Sequence, residues 1–467
     1  MKLVLDFQAC QSGSRYRGVG RGSMSLMLSM AQRLIDLGDD VFFLLNAAFS
    51  DEYVALEDDL LTQVPRAQIK LFHIVSPCAA AWPENQWRQM AARILREHAI
   101  ACIEADFVHV PALLADGWGD DAVASVGLLG NHIAVSLTQH DLIPLAMEDY
   151  YMPPSPFRDY YLAKLEYAKK ADVLLAISEF SRKESLEYLN IPDNRVVNIS
   201  SAAETRFWSR DQNVTAIDAT LSEFGIKSGF LLYAPGGFDY RKNLERLFAA
   251  YALLPTGMRA SHQLVIASQL DPGRREILNQ SMVNFGLNAN EVVLTDYVSD
   301  LELNHLYSSC YAYVFPSLHE GFGLPVLEAM SCGAPVIASN RTSIPEVVGM
   351  DEALFDPTSA RSIADKIMEI IQDEEFRNRL LKHSASQPRK FSWEKSAEIA
   401  IEAIKQRHSE LKAVGWQPTS ATKLPSCDML LERIKELSPL CVPTAEDITI
   451  FRKCFESNLQ LMNENIL

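Results

Sequence analysis

The sequence predicts an α/β protein made of two doubly wound parallel sheets in succession, with a helical tail behind them. Three observations carry that expectation. Apolar runs of strand length alternate with segments of helical period through roughly the first 375 residues. The alternation pauses at a polar stretch, Ser209–Lys227. The chain's 467 residues exceed what one hydrophobic core usually holds. The strand-length runs are continuously apolar rather than alternating, as in parallel strands covered on both faces.

In chain order, "LVLDF" opens the first sheet and the helical "SMSLMLSMAQRLIDLG" follows, beginning near Ser23. "VFFLLN", "IKLFHIV", the helical "NQWRQMAARILREHAI", "FVHV", "IAVSLTQHD", "VLLAIS" and "RVVNIS" complete an expected first domain over 1–208. Residues 209–228, with Asp211, Gln212 and Asn213, are expected to form a linker. The second domain, 229–390, runs through "GFLLYAPGG", a helix from Lys242 to Leu254, "QLVIAS", a helix from Arg274, "EVVLTDY", "AYVFPS", a helix after Gly323 and "PVIAS". Ser299-Asp-Leu-Glu302 has the spacing of a capping box. The segment 391–412 reads as a helix capped at Ser392, with Ala397, Ile401 and Ile404 on one stripe. The last stretch, 413–467, holds a polar Pro/Thr/Ser segment and two helical patterns that belong to neither sheet. Dimerisation, docking of a partner and a link to a further domain are all open for it.

Composition narrows the function. A formal net charge of −17 argues against a nucleic-acid partner. The 8 cysteines are scattered, without a C-x-x-C pair, as core thiols of a reducing compartment would be. The chain starts directly on a strand and carries no apolar run of about 18 residues, so a cytoplasmic protein is expected. "AWPENQWRQMAARILREH" joins Trp82, Trp87 and Met90 with Arg88, Arg93 and Arg96. It fits an ordinary packing helix or a membrane-skimming face.

The stretch "HEGFGLPVLEAMSCGAPVIAS" concentrates the chemistry. A strand leads into a glycine-broken turn, and Pro325 suits the first turn of the helix that follows. Gly321 and Gly323 let backbone N–H groups at the positive helix end approach an anion. Yet Glu320 and Glu328 flank this turn. A carboxylate beside an anion site is best matched to neutral hydroxyls, so the pattern suggests a phosphate flanked by polyols, such as a nucleoside diphosphate sugar.

With its E-x7-E spacing, "EGFGLPVLEAMSCGAPVIAS" resembles the motif of the retaining glycosyltransferases of family 4. "RGVGR", "TQHDLIP", "ISEFSRKE", "RKNLERL", "LTDYVSDLELNHLY" and "FSWEKSAE" resemble further segments of that family in the same order, most like its bacterial polysaccharide mannosyltransferases. The resemblance implies a GT-B fold, two Rossmann-like domains facing each other. It also implies donor roles: Glu320 on the sugar hydroxyls, the backbone of Gly321, Phe322, Gly323 and Leu324 on sugar and diphosphate, Glu328 on the ribose, and Lys242 on the diphosphate leaving group. Gly18, Gly20 and Gly237 would line the donor site, and His140, at the end of a strand, would approach the donor sugar.

One position departs from the pattern. Gly236 stands where many members carry an arginine, which makes Arg241 the first candidate for the second cation and the arginines of "SRYRGVGR" the alternative. No D-x-D occurs in the chain, and no metal or cofactor is expected. The implied function is transfer of a hexose, mannose from GDP-mannose foremost, to a glycan or lipid-linked glycan acceptor in surface polysaccharide synthesis. The enzyme would be cytoplasmic, with peripheral membrane association and oligomerisation or docking through the tail left open. A phosphorylase, a sucrose-type synthase and a non-catalytic nucleotide-sugar binder are the alternatives.

Overall fold

A computed structural model describes residues 1–129, 133–204, 207, 210–227, 229–418 and 424–460. The chain separates into two compact units. The first comprises Met1–Ile177, Ser181–Ile199 and the chain from Trp393 onward; the second comprises Ser178–Phe180 and Ser200–Ser392.

The first unit holds β1 (Lys2–Asp6), β2 (Asp40–Asn46), β3 (Ile69–Phe72), β4 (Phe107–Val110), β5 (Val135–Gln139), β6 (Val173–Ala176) and β7 (Val196–Asn198). They form one parallel sheet in the order β3-β2-β1-β4-β5-β6-β7. The direction of winding reverses between β1 and β4, the topological switch point at which such sheets form a crevice. The second unit repeats the plan with β8 (Leu231–Tyr233), β9 (Leu264–Ile266), β10 (Val292–Leu294), β11 (Ala312–Phe315), β12 (Val336–Ser339) and β13 (Leu354–Phe355). Its order is β10-β9-β8-β11-β12-β13, with the switch between β8 and β11. The central strands are fully buried, as their unbroken apolar runs require. Among the described residues, only β13, two residues on the sheet's edge, escapes the sequence pattern.

Ser299 caps the helix Asp300–Ser309 in a full capping box with Glu302. The helix Trp393–Ala413 buries Ala397, Ile401 and Ile404 and lies along the helix Gly18–Asp36 of the first unit. The stretch expected as a linker carries a helix, Val214–Glu223, capped by Asn213. Thr220 and Leu221 are buried there, and Thr220 bonds His305 at 2.8 Å. A polar sequence thus hid one apolar turn that packs on the second unit's helix Asp300–Ser309.

The tail also has a place. Helices Cys427–Leu437 and Ala445–Gln460 pack on the helix Gln86–Cys102 through Leu430, Ile434, Phe451 and Phe455 against Trp87, Ile94 and Leu95. The Trp87 and Phe451 rings meet edge to face at 6.1 Å, and Arg88 pairs with Asp447 at 2.6 Å. Asn458 clamps the backbone of His73, just past the edge strand β3, accepting from its N–H at 2.7 Å and donating to its carbonyl at 3.0 Å. The membrane-skimming alternative for this helix is therefore corrected: its apolar face is already covered, and its Arg96 is 1% exposed and paired with Asp6. Each large side chain buried in this contact contributes about 1.5–3 kcal/mol. No helix among the described residues is long and apolar enough to cross a membrane.

All eight cysteines are free thiols, and Cys10, Cys102, Cys310 and Cys332 are buried.

Candidate functional site

Two loops meet at the switch point of the second sheet. After β8 the chain turns through Gly236 and Gly237 and winds a short 3-10 turn, Tyr240–Lys242. Gly236 has φ +66, a region that an arginine would enter only under strain. After β11 comes Ser317 and then the Glu320–Gly323 turn. Asn243 ties the two loops, donating from Nδ2 to the carbonyls of Pro316 (2.9 Å) and Pro357 (2.8 Å), and the Leu318 N–H reaches the Arg241 carbonyl at 2.7 Å. Asn243 itself has φ +60, a conformation that asparagine tolerates better than most residues.

This arrangement brings Arg241, Lys242 and Glu320 together. Lys242 Nζ lies 2.8 Å from one Glu320 oxygen, and Arg241 Nη1 lies 2.5 Å from the other. Arg241 Nε is 3.1 Å from Asp239. Ser317 Oγ donates to Glu320 Oε1 at 2.6 Å. Lys242 is 5% exposed and Glu320 8%, so the pair is largely withdrawn from water. Burial pushes the Glu320 carboxyl up, but Lys242 first and Arg241 second overcome it and hold it at about 2. Burial lowers the Lys242 ammonium, with Glu320 pulling it back. Lys242 and Arg241 thus share the Glu320 carboxylate, and Asp239 pairs with Arg241 at the rim.

The helix Leu324–Ser331 starts at the same place. Gly323 is its N-cap with φ +108, a backbone that requires glycine, and a Cβ there would also have to displace the end of the Ile344 side chain, 2.6 Å away. No side chain caps this helix. Pro325 has no N–H and the Val326 and Leu327 N–H groups donate to the Gly323 carbonyl at 3.0 and 3.3 Å, so the Leu324 N–H is the first-turn donor placed to meet an external acceptor. Phe322 is buried against Phe391, ring centroids 5.6 Å apart. Glu328 is 5% exposed in the second turn, where its charge raises the Tyr307 and Tyr313 hydroxyls beyond what burial does.

The remaining expected residues fall in the first unit. Gly18 is the first residue of the helix Gly18–Asp36, which therefore starts five residues earlier than its apolar pattern suggests; the "RGVGR" glycines are helix, not loop. Gly20 is a packing glycine, since a Cβ there would stand 2.2 Å from the Ser14 carbonyl. His140 follows β5 and donates from Nε2 to the Pro111 carbonyl at 2.9 Å. Burial lowers its imidazole, so it is neutral at pH 7 with Nδ1 as the remaining acceptor.

Sequence reasoning missed the hydroxyls that hold the turn: Ser317, Thr342 and Ser343. Their one signal is position, just after the carboxyl ends of β11 and β12. It also missed that Lys242 and Arg241 both reach Glu320, because 78 and 79 residues separate the partners.

Residues 21–206 match the family model "Glycosyltransferase Family 4" and residues 223–387 match "Glycosyl transferases group 1". The chain is 33% identical over 448 residues to the serotype-specific mannosyltransferase WbdA of Escherichia coli, covering 94% of this chain and 52% of that protein. To the O-antigen chain mannosyltransferase B of Escherichia coli it is 32% identical over 269 residues, covering 57% and 69%. It spans about half the length, or less, of the WbdA proteins it matches. Among solved structures, Anabaena HepE in complex with UDP and glucose superposes with a TM-score of 0.59 at 18% identity, covering 88% of this chain and 100% of that one. WaaG, involved in lipopolysaccharide biosynthesis, does so with 0.59 at 13% identity, covering 86% and 99%. These likenesses show the GT-B fold.

Proposed function

We propose that this chain, which belongs to glycosyltransferase family 4, transfers a hexose from a nucleotide sugar to a glycan or lipid-linked glycan acceptor, with retention and without a metal ion. The observation that carries this reading is the buried Glu320–Lys242–Arg241 cluster beside the uncapped helix start at Gly323. As the bond between the sugar's anomeric carbon and the diphosphate breaks, negative charge grows on the departing phosphate oxygen. Lys242, Arg241 and the Leu324 N–H at the positive end of the helix Leu324–Ser331 offset that charge, the work a divalent cation does elsewhere. Glu320 accepts hydrogen bonds from the sugar hydroxyls, and Glu328 takes the ribose. The acceptor hydroxyl replaces the diphosphate on the same face of the sugar, its proton leaving with the departing oxygen.

Mannose from GDP-mannose is the proposed donor, supported by the mannosyltransferase names of the relatives, and surface polysaccharide is the proposed product. Calorimetry of the full chain with GDP-, UDP- and ADP-sugars, followed by transfer assays on a mannose-terminated acceptor, tests it. Tight binding of GDP-mannose and an α-linked product by NMR are expected. Binding of a different nucleotide sugar alone would overturn the donor, and binding without turnover on any acceptor would overturn the activity.

A further inference from the structure

Thr342, in the loop after β12, has φ +56. For a β-branched side chain the left-handed region is a steric outlier, and such strain persists only where the surroundings over-determine it. Glycine would adopt this backbone without cost, so the position uses something that glycine lacks. That something is the hydroxyl: Thr342 Oγ1 accepts the Glu320 N–H at 3.1 Å.

Neighbouring hydroxyls complete the bracket. Ser343, 0% exposed, directs its Oγ at the carbonyls of Glu320 (2.9 Å) and Phe322 (2.8 Å). Ser178 donates to the Gly321 carbonyl at 2.6 Å. Three consecutive carbonyls of the glycine turn are thereby engaged by hydroxyls, which fixes the plane of each peptide. Thr342 adds the constraint on the N-terminal side of Glu320, the residue whose carboxylate reaches Lys242 and Arg241.

We propose that Thr342 is a positioning residue of the donor site: its left-handed backbone and its hydroxyl together set the Glu320 peptide, and through it the direction of the Glu320 carboxylate toward the donor sugar. This rests on the role given above to Glu320. Its distinguishing consequence is that stability and activity part company. Replacement by glycine relieves the backbone strain while releasing the Glu320 N–H.

The test compares the wild-type chain with Thr342→Gly and Thr342→Ser, using the nucleotide sugar that the wild type binds best in the calorimetric screen. The glycine variant should melt at or above the wild-type temperature and bind the nucleoside diphosphate unchanged. It should bind the nucleotide sugar and turn it over with kcat/KM lower by about tenfold or more. Its Glu320 amide should exchange hydrogen faster. The serine variant should restore both the protection and the rate. A glycine variant indistinguishable from wild type in all four readouts would overturn the proposal. So would one that melts lower and loses both affinities together, which would make Thr342 merely structural. If the wild type binds no nucleotide sugar, it is the donor reading that fails. The Glu320 amide then still decides for Thr342: faster exchange in the glycine variant supports it and unchanged exchange refutes it.

Discussion

The two sheets have their switch points at matching places, β1/β4 and β8/β11, yet treat buried charge in opposite ways. In the first unit the polar groups there are locked by one another. Arg96 donates twice to Asp6, at 2.6 and 2.9 Å, and Gln8 adds its amide to the same carboxylate. Ser12 and Ser14 donate to Asp116, and Lys164 donates to the Leu113 carbonyl at 2.7 Å. The cavity that Asp6, Gln8, Asp116 and Lys164 line has about 20 Å³, room for one water-sized group. In the second unit Lys242 and Arg241 share one buried carboxylate, Arg241 also pairs with the part-exposed Asp239 at the rim, and the adjoining helix start has no side-chain cap. One topology thus supports a closed polar core in one place and an anion-seeking site in the other. The difference lies in the glycine turn and in the uncapped helix start beside it.

The largest effect should come from breaking the closed core. Arg96→Met leaves Asp6 buried and unpaired, and should cost about 3–5 kcal/mol in urea denaturation. It should leave nucleotide binding by the surviving folded protein near wild type.

Breaking the open site should act on chemistry instead. Lys242→Ala should lower transfer by about 10²–10³-fold, as loss of one preorganised charge donor does, and weaken nucleoside diphosphate affinity. Glu320→Ala should abolish transfer comparably, but hold or raise nucleoside diphosphate affinity, because it removes the carboxylate that competes for Lys242 and Arg241. Calorimetry on both variants checks this; equal losses of affinity would end the comparison between the sites.

A smaller effect sits at the covering tail. Phe451→Ala should destabilise the first unit by about 3 kcal/mol through the cavity left against Trp87, read as a shift in urea midpoint, with donor binding unchanged.

The smallest is a pH signature. The Glu320 carboxyl is held at about 2 in the folded chain, against an ordinary 4.5. A depressed carboxylate stabilises the fold above its unfolded pKa and loses that contribution as pH falls toward its folded one. The stability difference between wild type and Glu320→Gln should therefore be full at pH 6 and shrink steadily from pH 4.5 to 3. A difference constant over that range would mean that the ion cluster does not form.

Much of this was legible in the chain. Among the described residues, twelve of the thirteen strands follow apolar runs, because a strand buried on both faces must be largely apolar along its length. Gly323, Pro325 and the Ser299 capping box are equally local, each answering a backbone constraint within a few residues. The start of the helix at Gly18 was not legible, since glycines of low helix propensity form its first turns and tertiary packing overrides that preference. The helix Val214–Glu223 was hidden for a related reason: it buries one short stripe, too little to register in a polar stretch.

By itself, then, the sequence determined the two-sheet plan, the glycine turn and the identity of the charged residues near it, all consequences of local backbone preference and apolar periodicity. Only the tertiary structure decided which charges meet. Glu320 lies on one loop and Arg241 and Lys242 on another, and their pairing depends on β8 and β11 being neighbours in the sheet. The same holds for Thr342, whose strained backbone has meaning only beside the Glu320 N–H that it receives, and for the tail helices, whose apolar stripe became a cover once the helix Gln86–Cys102 lay beneath it.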